Sequence, residues 1–148
     1  MMSSMRKTFF EEALKAREES IDPNTKVGCV IVKDGQIISR GYNTLPKGLK
    51  KQEYPLDCRE GTFLETKYPY MIHSEAKAIV DAKCDLKGSS MYVTLFPCNE
   101  CAKLIIESGI KELYYLEDKY CNEDNVIASK RMLSDVGVKF EFVKYEEL

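Results

Sequence analysis

The chain contains no tryptophan and only one histidine, His73. It also lacks a second Cys-x-x-Cys, so neither a second histidine nor a second such pair is present to complete a closed structural zinc site. No apolar run approaches the roughly 20 residues needed to span a bilayer. Residues 1–15 are polar and charged and show no signal-peptide core, so the expected location is cytoplasmic, with no membrane partner. There is no basic surplus: 22 Lys and Arg stand against 24 Asp and Glu, a net charge of −2. Proteins that track a nucleic-acid backbone usually carry a basic stripe, so a stable nucleic-acid partner is not expected. Repeats and low-complexity stretches are absent. The 148 residues suit a single domain over 1–148. The six cysteines are expected to be thiols or metal ligands, not disulfides.

The single histidine falls in a pattern. His73-Ser74-Glu75 is followed by Pro97-Cys98-Asn99-Glu100-Cys101. Cys98 and Cys101 are three apart, which places both sulfurs on one face of a helix. Pro97 disfavours helix before it, so Cys98 falls at a helix start, where free N–H groups and the helix dipole favour the thiolate. His73 adds a nitrogen. Three protein ligands leave the fourth tetrahedral position open for water, the mark of a catalytic zinc. Bound zinc lowers the pKa of water from about 16 to about 7. Glu75 lies roughly 200° round a helix from His73, which makes it a poor fourth ligand but a suitable general acid/base at the helix mouth. His-x-Glu with Pro-Cys-x-x-Cys is the signature of zinc-dependent nucleobase deaminases.

Along the chain, Lys7 to Glu19 reads as an amphipathic helix, broken by Asp22-Pro23-Asn24. Val27 to Val32 reads as a strand buried on both faces, turned at Asp34-Gly35 into a second strand from Gln36 to Tyr42. Residues 43–72 show no sustained period and are expected to wall the active site. A helix from His73 to about Lys83 should bury Ala76, Ile79 and Val80. A strand over Ser90 to Phe96 precedes a helix from Cys98 to Ser108, closed by Gly109. A strand over Glu112 to Leu116, a helix over Asp124 to Val136 with Ile127, Ala128, Leu133 and Val136 apolar, and an edge strand over Val138 to Val143 complete the chain. The order α-β-β-α-β-α-β-α-β predicts an α/β fold, a three-layer α/β/α sandwich around a mixed five-stranded sheet in which only the first hairpin need be antiparallel.

Several segments resemble the deoxycytidylate (dCMP) deaminase family within the zinc-dependent cytidine/deoxycytidylate deaminases. They are Asp22-Pro-Asn-Thr-Lys-Val-Gly28, Gly41-Tyr42-Asn43, Glu65-Thr-Lys-Tyr-Pro-Tyr-Met-Ile-His73-Ser-Glu75-Ala76, the stretch from Leu86 through Phe96-Pro97-Cys98 to Ile106, and Asp118-Lys-Tyr120. The zinc motif alone fits any member of the superfamily. The Thr66-Lys-Tyr-Pro-Tyr70 and Leu95-Phe-Pro-Cys-Asn-Glu-Cys-Ala-Lys103 segments are more specific. The resemblance implies the cytidine-deaminase fold, Zn2+ held by His73, Cys98 and Cys101, and hydrolysis of dCMP to dUMP and ammonia through Glu75. It further implies supply of dUMP for thymidylate synthesis, a homohexamer, activation by dCTP and inhibition by dTTP. By the same resemblance Asn43 should hydrogen-bond the sugar and Tyr120 should line the pocket. Asn24 and Lys26 are the first candidates for the 5′-phosphate, with Lys119 another. The family usually has Gly-Tyr-Asn-Gly, whereas this chain has Thr44, a departure that falls on the loop associated with triphosphate regulation. A nucleoside deaminase would keep the same zinc site without a phosphate subsite, and a nucleic-acid base deaminase would need a basic groove.

Overall fold

The structure, a computed structural model, describes residues 2–148. Its elements run α1 (Met2–Arg17), β1 (Gly28–Lys33), β2 (Gln36–Tyr42), α2 (Ser74–Asp81), β3 (Ser90–Leu95), α3 (Asn99–Ser108), β4 (Glu112–Glu117), α4 (Asp124–Asp135) and β5 (Lys139–Phe142). The strands form one sheet in the order β2-β1-β3-β4-β5.

Alternation along β1 divides the apolar residues between two faces. Cys29 and Ile31 pack with Ala78 of α2, Ala102 and Ile105 of α3, and Val126 and Leu133 of α4. Val30 and Val32 pack on the other side with Phe9 and Phe10 of α1, beside Tyr92 and Tyr114. The result is the expected three-layer sandwich, with α1 alone on one face and α2, α3 and α4 on the other.

The pairing differs from expectation in one respect. β1 is antiparallel to β3 as well as to β2, and only β3, β4 and β5 run parallel to one another. The β2–α2–β3 crossover still joins two strands of the same direction, but β1 lies between them. The Asp34-Gly35 turn has positive φ at both residues, 52° and 76°, as a two-residue hairpin turn of type I′ requires.

The buried face of α2 also differs from expectation. Val80 is 71% exposed, and the buried residues of α2 are Ser74, Glu75 and Ala78. In α4, Ile127 and Val136 are exposed while Val126, Ser129 and Leu133 are buried. Apolar character marks Val80 for the core, but its angular position on α2 turns it to solvent.

Two close approaches fix the helices that matter for the site. A Cβ at Gly41, near the end of β2, would meet the Ser74 carbonyl oxygen at 2.1 Å, so the first turn of α2 rests directly on β2 backbone. Ser39 Oγ then donates to the Ala78 carbonyl oxygen at 2.6 Å. On the opposite face, a Cβ at Gly28 would meet the Ala13 carbonyl oxygen at 2.1 Å, which seats α1 on β1 in the same way.

Between β2 and α2, residues 43–72 form a closed excursion. Its ends are joined by a bridge in which Thr44 N donates to Ile72 O at 3.1 Å and Ile72 N donates to Thr44 O at 2.7 Å. Thr44 does not adopt positive φ. Two short 3-10 turns, Lys51–Glu53 and Phe63–Glu65, give the excursion its internal structure.

Candidate active site and metal centre

Two helices begin at the same place. His73 stands at the N-cap of α2 with extended backbone, φ −76° and ψ 154°, and is not the first helical residue. Cys98 stands at the N-cap of α3, also extended, and Cys101 lies in that helix's first turn. α3 follows β3 directly, through Phe96 and Pro97, so the site lies beyond the carboxyl end of β3, where open α/β sheets usually bind ligands.

His73 Nδ1 lies 3.3 Å from Cys101 Sγ and 3.4 Å from Cys98 Sγ. The three ligand atoms all fall within 4.8 Å of one another. Zinc bonds of about 2.3 Å to sulfur and 2.0 Å to nitrogen, at a tetrahedral angle, separate N and S by about 3.5 Å. One nitrogen and two sulfurs at this spacing therefore fit zinc in both number and softness.

The charges of the three groups are coupled. A hydrogen bond with Cys98 raises His73 to about 9, against the lowering effect of its burial. A hydrogen bond from Cys101 brings Cys98 down to about 4, helped by another from His73. The hydrogen bond to Cys98 pushes Cys101 up, and its burial adds to this. The contacts favour the thiolate at Cys98 and the protonated form at His73 and Cys101. Metal must displace the protons of His73 and Cys101, so zinc uptake releases protons and weakens as pH falls.

Glu75 lies in the first turn of α2 and is only 4% exposed. Burial raises its pKa, opposed by the charge of His73 and by a hydrogen bond from Ser74. The Ser74 hydroxyl donates to Glu75 Oε1. Behind them, Cys29 Sγ donates to the Ser74 carbonyl oxygen at 3.3 Å, which ties this turn to β1.

His73, Glu75 and Cys98 open onto a cavity of about 410 Å³. This is within the range of small-molecule sites. Asn43 and Tyr120 line it, together with Arg59, Lys67, Tyr68 and Met71 from the excursion over residues 43–72. Asn43 is heavily engaged: its Oδ1 accepts from Val27 N at 2.8 Å and its Nδ2 donates to Thr25 O at 2.7 Å. One N–H and one lone pair remain for a ligand. Asn24, Lys26 and Lys119 are exposed and do not line the cavity.

The cavity wall also holds a buried ion pair that no local sequence signal announces. Lys67 Nζ lies 2.6 Å from Asp22 Oδ2, and the side chains are 7% and 4% exposed. The other oxygen, Asp22 Oδ1, accepts from the backbone N of Asn24 and Thr25. Asp22 reads in sequence as part of a helix-breaking turn, and Lys67 as part of a resemblance with no role attached.

Residues 3–117 match the family model described as the cytidine and deoxycytidylate deaminase zinc-binding region. The chain belongs to this family. It is a zinc-dependent deaminase, a hydrolase, with the cytidine-deaminase-like fold. The deoxycytidylate deaminase of Pongo abelii is 42% identical over 134 residues, which cover 89% of this chain and 75% of that protein. The apo crystal structure of dCMP deaminase from cyanophage S-TIM5 superposes with a TM-score of 0.76 at 25% identity, covering 95% of this chain and 98% of that one. The same phage enzyme in complex with dCMP and dUMP gives 0.70 at 26% identity, covering 96% of both. Among the described residues no helix is long and apolar enough to cross a membrane.

The family member's metal site carries a direct prediction. Purified protein should hold one zinc per chain by elemental analysis, and Cys98→Ala should weaken zinc binding by more than about 100-fold, since even outer-shell losses cost 10–100-fold. Unchanged zinc content in Cys98→Ala would remove Cys98 from the ligand set.

Proposed function

We propose that this deaminase converts dCMP to dUMP and ammonia, and so supplies dUMP for thymidylate synthesis. The observation that carries the reading is the buried Glu75 carboxylate, set on the same helix start as His73 and opening onto the same cavity as Cys98. The likeness to deoxycytidylate deaminases over 89% of the chain supports the choice of substrate.

His73 Nδ1, Cys98 Sγ and Cys101 Sγ are the groups that would hold zinc. Bound zinc supplies a Lewis acid beside which water ionises near neutral pH. The remaining steps belong to the chain's own residues and the substrate. Glu75 takes a proton from the attacking water and delivers it to N3 of the cytosine ring as oxygen bonds to C4. Glu75 then carries the second water proton to the exocyclic amino nitrogen. The C4–N bond breaks, ammonia leaves, and C4 is left as the carbonyl of dUMP. One carboxylate serves as base and then as acid, and a pKa raised by burial suits both tasks. The Ser74 hydrogen bond holds the carboxylate in place during the exchange. Val27, Leu95, Phe96 and Val126 offer apolar surface to the base, Asn43 has capacity left for the sugar, and Tyr120 closes one side.

The proposal extends to assembly, location and control. Val80, Leu104 and Ile127 are large apolar side chains exposed on α2, α3 and α4, which supports self-association, read as a homohexamer. Six unpaired cysteines fit a reducing compartment, the cytoplasm. Activation by dCTP and inhibition by dTTP would act through the Gly41-Tyr42-Asn43-Thr44 segment. There Thr44 is extended and bridged to Ile72, the residue before His73. A backbone already committed to that bridge leaves less freedom for a nucleotide to reshape it, so the effector response should be weak.

Two experiments follow. Glu75→Gln should keep zinc and fold while dCMP turnover falls by at least about 10²–10⁴-fold, and near-wild-type turnover would take Glu75 out of the mechanism. In the second, dCMP turnover is measured against substrate concentration with and without dCTP or dTTP. Wild type should respond weakly and Thr44→Gly more strongly, since effector coupling of about 1–3 kcal/mol is easily altered by a loop change. Strong cooperativity abolished by dCTP, and identical in Thr44→Gly, would contradict the role given to Thr44.

A further inference from the structure

A nucleotide monophosphate brings a dianion into a cavity that already holds three carboxylates, Asp22, Glu75 and Glu123. Apart from the metal-ligand histidine, two cations line that cavity, Arg59 and Lys67. Their circumstances differ. The charge of Lys67 is met at 2.6 Å by Asp22, with both side chains buried. Arg59 has no carboxylate within ion-pair distance among the described residues. Tyr68, which lines the same cavity, does most to raise the pKa of Arg59, with Tyr120 and Asp22 adding to this.

We propose that Arg59 is the residue that selects a substrate carrying a 5′-phosphate, with its guanidinium donating to the phosphate oxygens. The assignment rests on the dCMP reading above. A guanidinium presents paired N–H donors in a planar fork that matches phosphate geometry, and it stays charged at any working pH. It is also the uncommitted cation of the cavity, so pairing with an incoming anion breaks no existing ion pair. Use of Lys67 instead would draw it from Asp22 and leave a buried carboxylate unmatched, a costly exchange.

Arg59 is exposed, but its backbone is anchored. The preceding residue, Cys58, accepts a hydrogen bond at its carbonyl oxygen from Lys67 N at 3.1 Å, and its Sγ donates to Glu60 O at 3.0 Å. The buried Lys67–Asp22 pair therefore pins the Lys67 backbone that in turn pins Cys58. Through this link the entry to β1, where Asp22 sits, fixes the position of Arg59 at the cavity wall. Tyr68, the residue after Lys67, lines the same cavity as Arg59. The part of the chain with no periodic sequence signal supplies the charge that a nucleotide needs, whereas the candidates before β1, Asn24 and Lys26, are exposed and do not line the cavity.

The test compares wild type, Arg59→Gln and Arg59→Lys, each checked for zinc content and unfolding midpoint. The readouts are kcat/KM for dCMP and for deoxycytidine, and binding of dUMP and deoxyuridine by calorimetry. In Arg59→Gln, the preference for dCMP over deoxycytidine should fall by about 10–100-fold, the usual worth of hydrogen bonds to a charged group. The affinity for dUMP over deoxyuridine should fall by a similar factor. Arg59→Lys, which keeps the charge but loses the fork, should lie between. Wild type that prefers dCMP, with the preference intact in Arg59→Gln, overturns the role of Arg59 alone. Wild type that turns over deoxycytidine as well as dCMP overturns the nucleotide reading, and this assignment with it.

Discussion

Two helix starts meet beyond the carboxyl end of β3, and the site depends on that meeting. α2 brings His73 at its N-cap and Glu75 in its first turn, and α3 brings Cys98 at its N-cap and Cys101 in its first turn. Each N-terminus has unpaired N–H groups and the positive end of a helix dipole, which suit thiolate and carboxylate. Neither helix could hold a metal alone, because one carries a single nitrogen and the other two sulfurs. The sheet makes them meet: Gly41 lets α2 rest on β2 backbone, and the Phe96-Pro97 exit from β3 starts α3 beside it.

A second constraint closes the cavity. The buried Lys67–Asp22 pair joins the entry of β1 to the end of the excursion over residues 43–72. The Thr44–Ile72 bridge joins the excursion's own ends. With both in place, a stretch that has little regular structure becomes a wall of fixed shape next to the metal ligands. Charged groups buried as a pair contribute little net stability but are costly to separate, so the pair acts mainly to hold one arrangement.

What was legible in the sequence follows from range. His73, Glu75, Cys98 and Cys101 stand out because each half of the pattern is short and its spacing has one chemical use. The strands and helix order were legible from period, and Asp34-Gly35 and Gly109 from turn and cap chemistry. Asp22 and Lys67 were not, because they are 45 positions apart and nothing local announces their pairing. Arg59 was not, because a single arginine in an aperiodic stretch reads as surface. Val80 reads as a buried position of its helix on apolar character, yet it faces solvent. The antiparallel pairing of β1 with β3 was missed because a hairpin does not reveal which of its strands will lie inward.

The central claim is that one zinc, held by His73, Cys98 and Cys101, and one carboxylate, Glu75, together carry the deamination. The most direct measurement titrates zinc into metal-free protein and follows dUMP formation from dCMP at each addition. Turnover should rise in proportion to bound zinc and level off at one zinc per chain. Full turnover by metal-free protein, or turnover that continues to rise well beyond one zinc per chain, would contradict it.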